Sequence, residues 1–458
     1  MKKRFLRRIA LALTTAFSFV AITGCSKTKT PAKEGYKVLW ADEFDGKKLN
    51  NKIWLREERP VGWTNNESQE YVKDTKNGFI RDGKFVIKGI EDSTAKGVYT
   101  SCKLRNTNAY AFKYGRIETR AKVPEGKGLW PAIWMMPEDE NVYGQWPKCG
   151  EIDIMEVLGD QTNTAFGTVH YGEPHAEKQG KVVLTNGTFA SDFHEYAVEW
   201  EPGKLEWFID GQSYLVVNDW FTAVEDQDEK PYPAPFNQKF CIQMNLAIGG
   251  DWPGYPEPGA SYMDKAEFEI DYVRVYQKTS EYDENVTKPE KVFRSPDETG
   301  NYISDTNFEK EILTKDTAMG IAWVYHHEKG GEATISKVDG GGIKITIEDG
   351  KRGSEPYSIQ LYHAEMPFIK GKKYKISFDC WGDQDEFEIG EVCIDAPNAG
   401  WSRYWKRRVA VTRTVQTIEA TIDYNKKDDA GARFEFNLGC NSIGTIYIAN
   451  VRVEEVTD

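Results

Sequence analysis

The chain has 458 residues, enough for two or three domains, with 40% hydrophobic and 29% charged residues, so packed cores are within reach and a disordered chain is excluded. Lys and Arg number 59 against 72 Asp and Glu, and the net charge of −13 argues against nucleic acid or an anionic membrane held by bulk charge. Aromatic residues reach 13%, with 14 Trp beside 40 Gly, a composition suited to sheets and to flat apolar ligand faces such as sugar rings, although most aromatics pack in cores.

Residues 1–24 read as an export signal. Five cations (Lys2, Lys3, Arg4, Arg7 and Arg8) precede the apolar run Ile9–Ile22, which is too short to span a bilayer comfortably. The run closes on Ile22-Thr23-Gly24-Cys25, similar to a bacterial lipobox, where the chain is cut before a cysteine that is then lipidated. An ordinary signal peptide followed by a chance cysteine is the alternative. In the first reading residues 25–33 are a polar tether, and the body is an exported, cell-surface lipoprotein anchored to the bacterial membrane at Cys25. Removing residues 1–24 takes away five cations and no acid, which moves the charge to −18.

Six further cysteines (Cys102, Cys149, Cys241, Cys380, Cys393 and Cys440) show no C-x-x-C spacing, so a metal cluster is not expected. They are too sparse to staple a scaffold and read as scattered buried thiols.

The body alternates in short runs broken by Gly, Asn, Asp and Pro, the signature of many strands. Lys84–Lys88, Gly115–Val123, Lys204–Ile209 and Ile270–Tyr276 are examples in a first domain spanning 34–278. Residues 279–300 are polar, carry Pro289 and Pro296, and read as a linker. Alternation resumes in Ile343–Ile347, Tyr374–Cys380, Arg433–Leu438 and Thr445–Val453, giving a second domain over 301–458. The fold class expected is all-β: two domains, each of two sheets packed face to face.

One strand carries the chemistry. In Gly150-Glu151-Ile152-Asp153-Ile154-Met155-Glu156, Glu151 and Asp153 share a face and Ile152 and Ile154 share the other. Glu156 would face the wrong way unless one extra residue near Met155, a β-bulge, returned it to the acidic side. Carboxylates crowded on one face raise one another's pKa, which separates a nucleophile from a protonated acid, and glycosidic cleavage uses such a pair. A solvated acidic strand is the alternative. Just upstream, Leu129–Pro137 (LWPAIWMMP) and Tyr143–Pro147 (YGQWP) place Trp130, Trp134 and Trp146 within seventeen residues, either as stacking platforms for a sugar or as core. The sequence holds no G-x-S-x-G, H-E-x-x-H, P-loop or dinucleotide fingerprint to support other chemistry.

The run WPAIWMMP through YGQWPKCGEIDIMEVLG resembles glycoside hydrolase family 16, in its laminarinase-like branch. Supporting motifs are spread over the first domain: Trp40–Gly46, Asn65–Tyr71, Tyr114–Arg120, Thr168–Tyr171, Asp192–Tyr196, Asn245–Gly250 and Asp271–Val275. The resemblance implies a β-jelly-roll with a long cleft and retaining, endo-acting hydrolysis of β-1,3-glucan such as laminarin. Mixed β-1,3-1,4-glucan is the nearest alternative substrate, and a non-catalytic glycan-binding surface lipoprotein is the alternative in kind. Glu151 is then the nucleophile, Glu156 the acid/base, and Asp153 their assistant. Trp130, Trp134 and Trp146 match positions that shape the subsites beside the cleaved bond. Asn66 and Glu70 match a loop on the non-reducing side, His170 a strand facing the acid/base, and Asn245 and Trp252 the far wall; His194 reads as structural.

Catalysis by carboxylates implies no cofactor. A structural Ca²⁺ on the convex face is implied through Asp271, with backbone carbonyls of Glu43 and Gly83. Lys103 stands where many relatives carry Arg, and Lys lacks the planar fork, so the adjoining subsite is expected to bind differently. The second domain is similar to carbohydrate-binding modules of the families 4 and 9 type, with Trp323, Trp381, Trp401, Tyr404 and Trp405 as candidate sugar platforms, or as core of an inert spacer. The expected partner is a β-glucan polysaccharide, with no nucleic acid, membrane contact only through Cys25, and a monomeric chain.

Overall fold

The structure is a computed structural model that describes residues 30–223, 228–290, 293–314, 321–385, 387–397, 401–440 and 443–456. Residues 1–29, which hold the expected export signal and Cys25, lie outside the described residues. Among the described residues there is no α-helix; three short 3-10 turns accompany the strands.

Two large antiparallel sheets build the first domain, as the all-β expectation requires. The inner sheet runs, in spatial order, Ala176–Val183, Thr164–Tyr171, Glu151–Glu156, Leu129–Pro137, Phe240–Ile248, Lys103–Asn106 and Trp54–Glu57. The outer sheet is centred on Gly115–Lys122 and Glu267–Lys278, with Tyr36–Asp42 paired to the latter. Alternating side chains from the facing surfaces interdigitate: Ile133, Ile152, Val169 and Met244 from the inner sheet meet a core that includes Ile117, Val198 and Val275. Each such aliphatic side chain taken fully from water contributes about 1.5–3 kcal/mol. The opposite surface of the inner sheet is therefore released from core duty and forms the floor of a cleft.

A second core, from Tyr302 to Val453, is shared by a six-stranded and a five-stranded sheet. Trp323 is 2% exposed within it, packed on Phe308 and Phe436. It is a core residue and not a sugar platform. The six described cysteines are free thiols, five of them buried and Cys440 exposed.

Candidate active site

The carboxylate strand enters the inner sheet at Gly150, whose φ of +84° suits glycine, and a Cβ there would meet the Phe236 ring at 2.7 Å. A glycine is therefore required on both conformational and steric grounds. Four residues on, the register slips. Opposite the Leu129–Pro137 strand, Ile133 pairs with Met155 but Trp134 pairs with Asp153, so Ile154 is the extra residue. On the other side the same slip separates Asp153, opposite Thr168, from Glu156, opposite Phe166. The bulge expected near Met155 is present, and Glu151, Asp153 and Glu156 all line one cleft of about 1000 Å³. At this point the backbone is held from below. Trp207 Nε1 donates to the Asp153 carbonyl at 2.8 Å, and Gly167 leaves room for the approach, since a Cβ there would meet the Trp207 ring at 2.6 Å.

Each catalytic candidate receives its own donor. Trp146 Nε1 donates to Glu151 Oε2 at 2.5 Å, and Trp130 Nε1 donates to Glu156 Oε1 at 3.1 Å. Burial first and the Asp153 charge second raise the Glu156 carboxyl well above the usual carboxylate range. The same two causes raise Glu151; at each carboxyl His170 and an indole N–H oppose them, and on Glu156 the Glu151 charge adds a further upward push. The two acids therefore sit in unequal surroundings, the condition for one to keep its proton while the other ionises. His170 Nε2 stands 3.3 Å from Asp153 Oδ2, a buried oxygen with no well-aligned donor. Burial disfavours a charged His170 ring, yet Asp153 and Glu177 outweigh it and hold the pKa well above its ordinary value. A cationic imidazole thus faces the acidic strand and moderates the repulsion within it.

The Trp residues divide the cleft. Trp146 is 47% exposed and presents a flat face beside Glu151. Trp252 meets Trp130 edge-on at 5.3 Å and Phe166 at 5.1 Å. Trp134 Nε1 donates to Asn245 Oδ1 at 2.7 Å, Asn245 Nδ2 donates to Tyr71 Oη at 3.0 Å, and Tyr71 in turn donates to Glu67 Oε2 at 3.3 Å. The relay ties the Phe240–Ile248 strand to the Asn65–Tyr71 loop and fixes the Trp134 ring.

Two expected loop contacts differ. Glu70 lies on the Gln69–Tyr71 strand between two buried neighbours and points to solvent, because alternation sends Gln69 and Tyr71 inward. Asn66 turns its amide to Asp251, with Nδ2 to the two carboxylate oxygens at 3.0 and 2.9 Å. The loop instead offers Trp63, Asn65 and Glu67 to the cleft. Lys103 is a further difference: it lies on the cleft face of the inner sheet, opposite Asn245 and Glu57, but is fully buried among its neighbours, bonded to Gln243 and 3.2 Å from Glu57. It reaches the subsite only through the residues it supports. Burial lowers its pKa to about 8 against the pull of Glu57.

On the convex side, Asp271 Oδ2 takes Arg120 Nη1 at 2.6 Å, and the Glu43 carboxylate is bidentate on Arg274 at 2.8 Å. The single expected side-chain ligand is thus neutralised by a guanidinium. This donor set does not fit a Ca²⁺ ion, which favours several unpaired oxygens. His194 Nδ1 lies 2.7 Å from Asp210 Oδ2, a structural pairing.

In the second domain Trp401 is 54% exposed, with the Arg433 guanidinium 5.0 Å from its ring centroid. Tyr404 and Trp405 are half-buried against the core, and the Tyr404 hydroxyl donates to Asp429 at 2.8 Å. Trp381 stacks on Tyr447 at 5.1 Å on the other sheet. The four do not form one platform. What local patterning did not reveal is a polar row across the six-stranded sheet, joining Gln360, Glu435, Asn437 and Glu391 through hydrogen bonds of 2.9–3.1 Å, with Trp401 and Arg433 at its end.

The family model described as Glycosyl hydrolases family 16 matches residues 60–274, and that of a Carbohydrate binding domain matches residues 300–443. Glucan endo-1,3-beta-glucosidase A1 of Niallia circulans is 37% identical over 269 residues, 54% of this chain and 39% of that protein. A Beta-glucanase of Rhodothermus marinus is 34% identical over 287 residues, 60% of this chain and 96% of that protein. A Glucan endo-1,3-beta-glucosidase of Cryptopygus antarcticus is 36% identical over 254 residues, 51% of this chain and 90% of that protein.

Proposed function

The chain belongs to glycosyl hydrolases family 16, and from that premise we propose that it cleaves β-1,3-glucosidic bonds within β-glucans such as laminarin, with retention. The observation that carries the proposal is the slip at Ile154, which sets Glu151 and Glu156 on one face of one cleft under separate indole donors. In the first step a Glu151 oxygen forms a bond to the anomeric carbon while the bond to the leaving oxygen breaks, and that oxygen takes the Glu156 proton. In the second, Glu156 removes a proton from water, which attacks the anomeric carbon and releases Glu151. Asp153 and His170 hold the charge balance between the two steps, and Trp146 and Trp252 offer apolar faces to the sugar rings. Carboxylates and water suffice for this chemistry.

Reducing ends released from laminarin, lichenan, agarose and xyloglucan by the purified protein test the substrate class. Laminarin is expected to be cut fastest, and failure on every β-glucan rejects the proposal. Lichenan cut faster than laminarin favours the mixed-linkage reading. Azide is expected to restore Glu151→Ala as an inverted glycosyl azide. Complete loss of activity in both Glu151→Ala and Glu156→Ala separates a hydrolase from a glycan-binding surface protein.

The export reading is part of the same proposal: a monomeric lipoprotein tethered through Cys25 would present the cleft to polymer outside the cell. Incorporation of labelled palmitate, abolished in Cys25→Ser, tests it. The second domain, matched by a carbohydrate-binding model, would hold the polymer through Trp401 and Arg433.

A further inference from the structure

The Thr164–Tyr171 and Ala176–Val183 strands form a hairpin whose first cross-strand neighbours include His170 and Glu177. His175, at its turn, swings back over both. His170 Nδ1 and His175 Nε2 are 3.0 Å apart, His170 Nδ1 and Glu177 Oε2 are 3.3 Å apart, and His175 Nε2 and Glu177 Oε2 are 3.9 Å apart. Ligand atoms about 2.0–2.1 Å from a tetrahedral Zn²⁺ lie roughly 3.3 Å from one another, so three ligand atoms already stand at the spacing of one coordination sphere.

A second observation concerns the other nitrogen of His170. Its Nε2 faces Asp153 Oδ2 at 3.3 Å, and Asp153 is 3% exposed with that oxygen lacking a well-aligned donor. A metal-bound histidine typically donates its remaining N–H to a carboxylate, which sets the tautomer and strengthens the ligand. Metal on Nδ1 would place the proton on Nε2, toward the orphaned oxygen.

We propose that His170, His175 and Glu177 form a binding site for a borderline divalent transition metal, Zn²⁺ being the type case, with Asp153 as the supporting carboxylate. Two imidazoles and one carboxylate are the donor mix such ions take, while Ca²⁺ and Mg²⁺ prefer oxygen alone. Three protein ligands leave a fourth position for water. The site clamps the hairpin turn to the strand beside the carboxylates. The Trp146 ring rests on it, 5.0 Å from His175 and 6.0 Å from His170, so an ion here stiffens the rim on which that indole lies.

Calorimetric titration of the EDTA-treated protein with ZnCl₂, in the absence of glucan, tests the site independently of hydrolysis. One equivalent is expected to bind and to raise the melting temperature. His175→Ala and Glu177→Gln are expected to weaken binding at least about tenfold, and Asp153→Asn about tenfold through the supporting bond. Co²⁺ is expected to show the intense visible absorption of a four-coordinate site, lost in His175→Ala. A Cys440→Ser background removes the exposed thiol as a competing ligand. Zn²⁺ bound equally well by His175→Ala, or no binding by the wild-type protein, overturns the proposal; circular dichroism of each variant confirms its fold.

Discussion

The Lys103 ammonium lies 4.5 Å from the centre of the Trp134 ring, an indole that lines the cleft. Trp134 is thus held by a cation over its ring and by Asn245 at its N–H. Lys103→Met removes that support together with the bond to Gln243 and the pairing with Glu57. We expect KM for laminarin to rise several-fold while kcat changes less, because the carboxylates keep their own donors. Equal losses in kcat and kcat/KM would instead place Lys103 in the chemical step.

Asp153 is the charge common to both catalytic neighbours, raising each of them after burial does. Its removal favours ionisation of both, so their pKa values fall. In Asp153→Asn both limbs of the pH–rate bell are expected to move toward lower pH, by about one unit, with a lower maximum. A profile recorded from pH 4 to 9 checks the direction.

Trp146→Phe keeps a flat ring but deletes the N–H that favours ionised Glu151. The acidic limb then moves upward, opposite to the shift for Asp153→Asn, and kcat/KM is expected to fall about tenfold. An unshifted limb would reduce Trp146 to a stacking surface.

Glu156 also carries a stability signature. Its folded pKa lies above its ordinary 4.5, so between those values the folded protein holds a proton the unfolded chain has lost. Folding stability therefore drains as pH rises through this window. Glu156→Gln removes the liability. Calorimetry is expected to find it melting above the wild type at pH 8, by roughly 2–4 °C per kcal/mol recovered, and no higher at pH 4.

For the second domain, Trp401→Ala and Arg433→Ala are each expected to weaken retention on insoluble curdlan several-fold while hydrolysis of soluble laminarin stays near wild type. Depletion assays on the solid separate the two effects.

Sequence reading reached what is local. Alternation in Glu151–Glu156 and the indoles just upstream are neighbours in the chain, and even the need for an extra residue follows from counting faces. Residues contributed by distant strands, such as Asn245 and Lys103, were reached only through the family resemblance, and their contacts escaped local reading. Tyr71 meets Asn245 across 174 positions and Lys103 meets Gln243 across 140, and no local pattern encodes which strands become neighbours. Glu70 was misplaced because a family motif names a loop, while the alternation of Gln69 and Tyr71 decides which side chains enter. The polar row through Glu435 and Gln360 was hidden for a related reason: each residue is a buried polar position alternating with core residues on its own strand, and only cross-strand register aligns them.

A strand counts in twos, so the residue at Ile154 works as a parity bit. With the register slipped there, Glu156 reads out into the cleft; with the same residues paired in unbroken register, that carboxyl would be addressed to the hydrophobic layer that Ile152 and Val169 occupy. No half-setting exists between these states. Deleting that residue leaves Glu-x-Asp-x-Glu, which a regular strand turns to one face without a bulge, so chain length and register must change together: the residue without the slip, or the slip without the residue, sends the acid/base to the core and is expected to abolish hydrolysis.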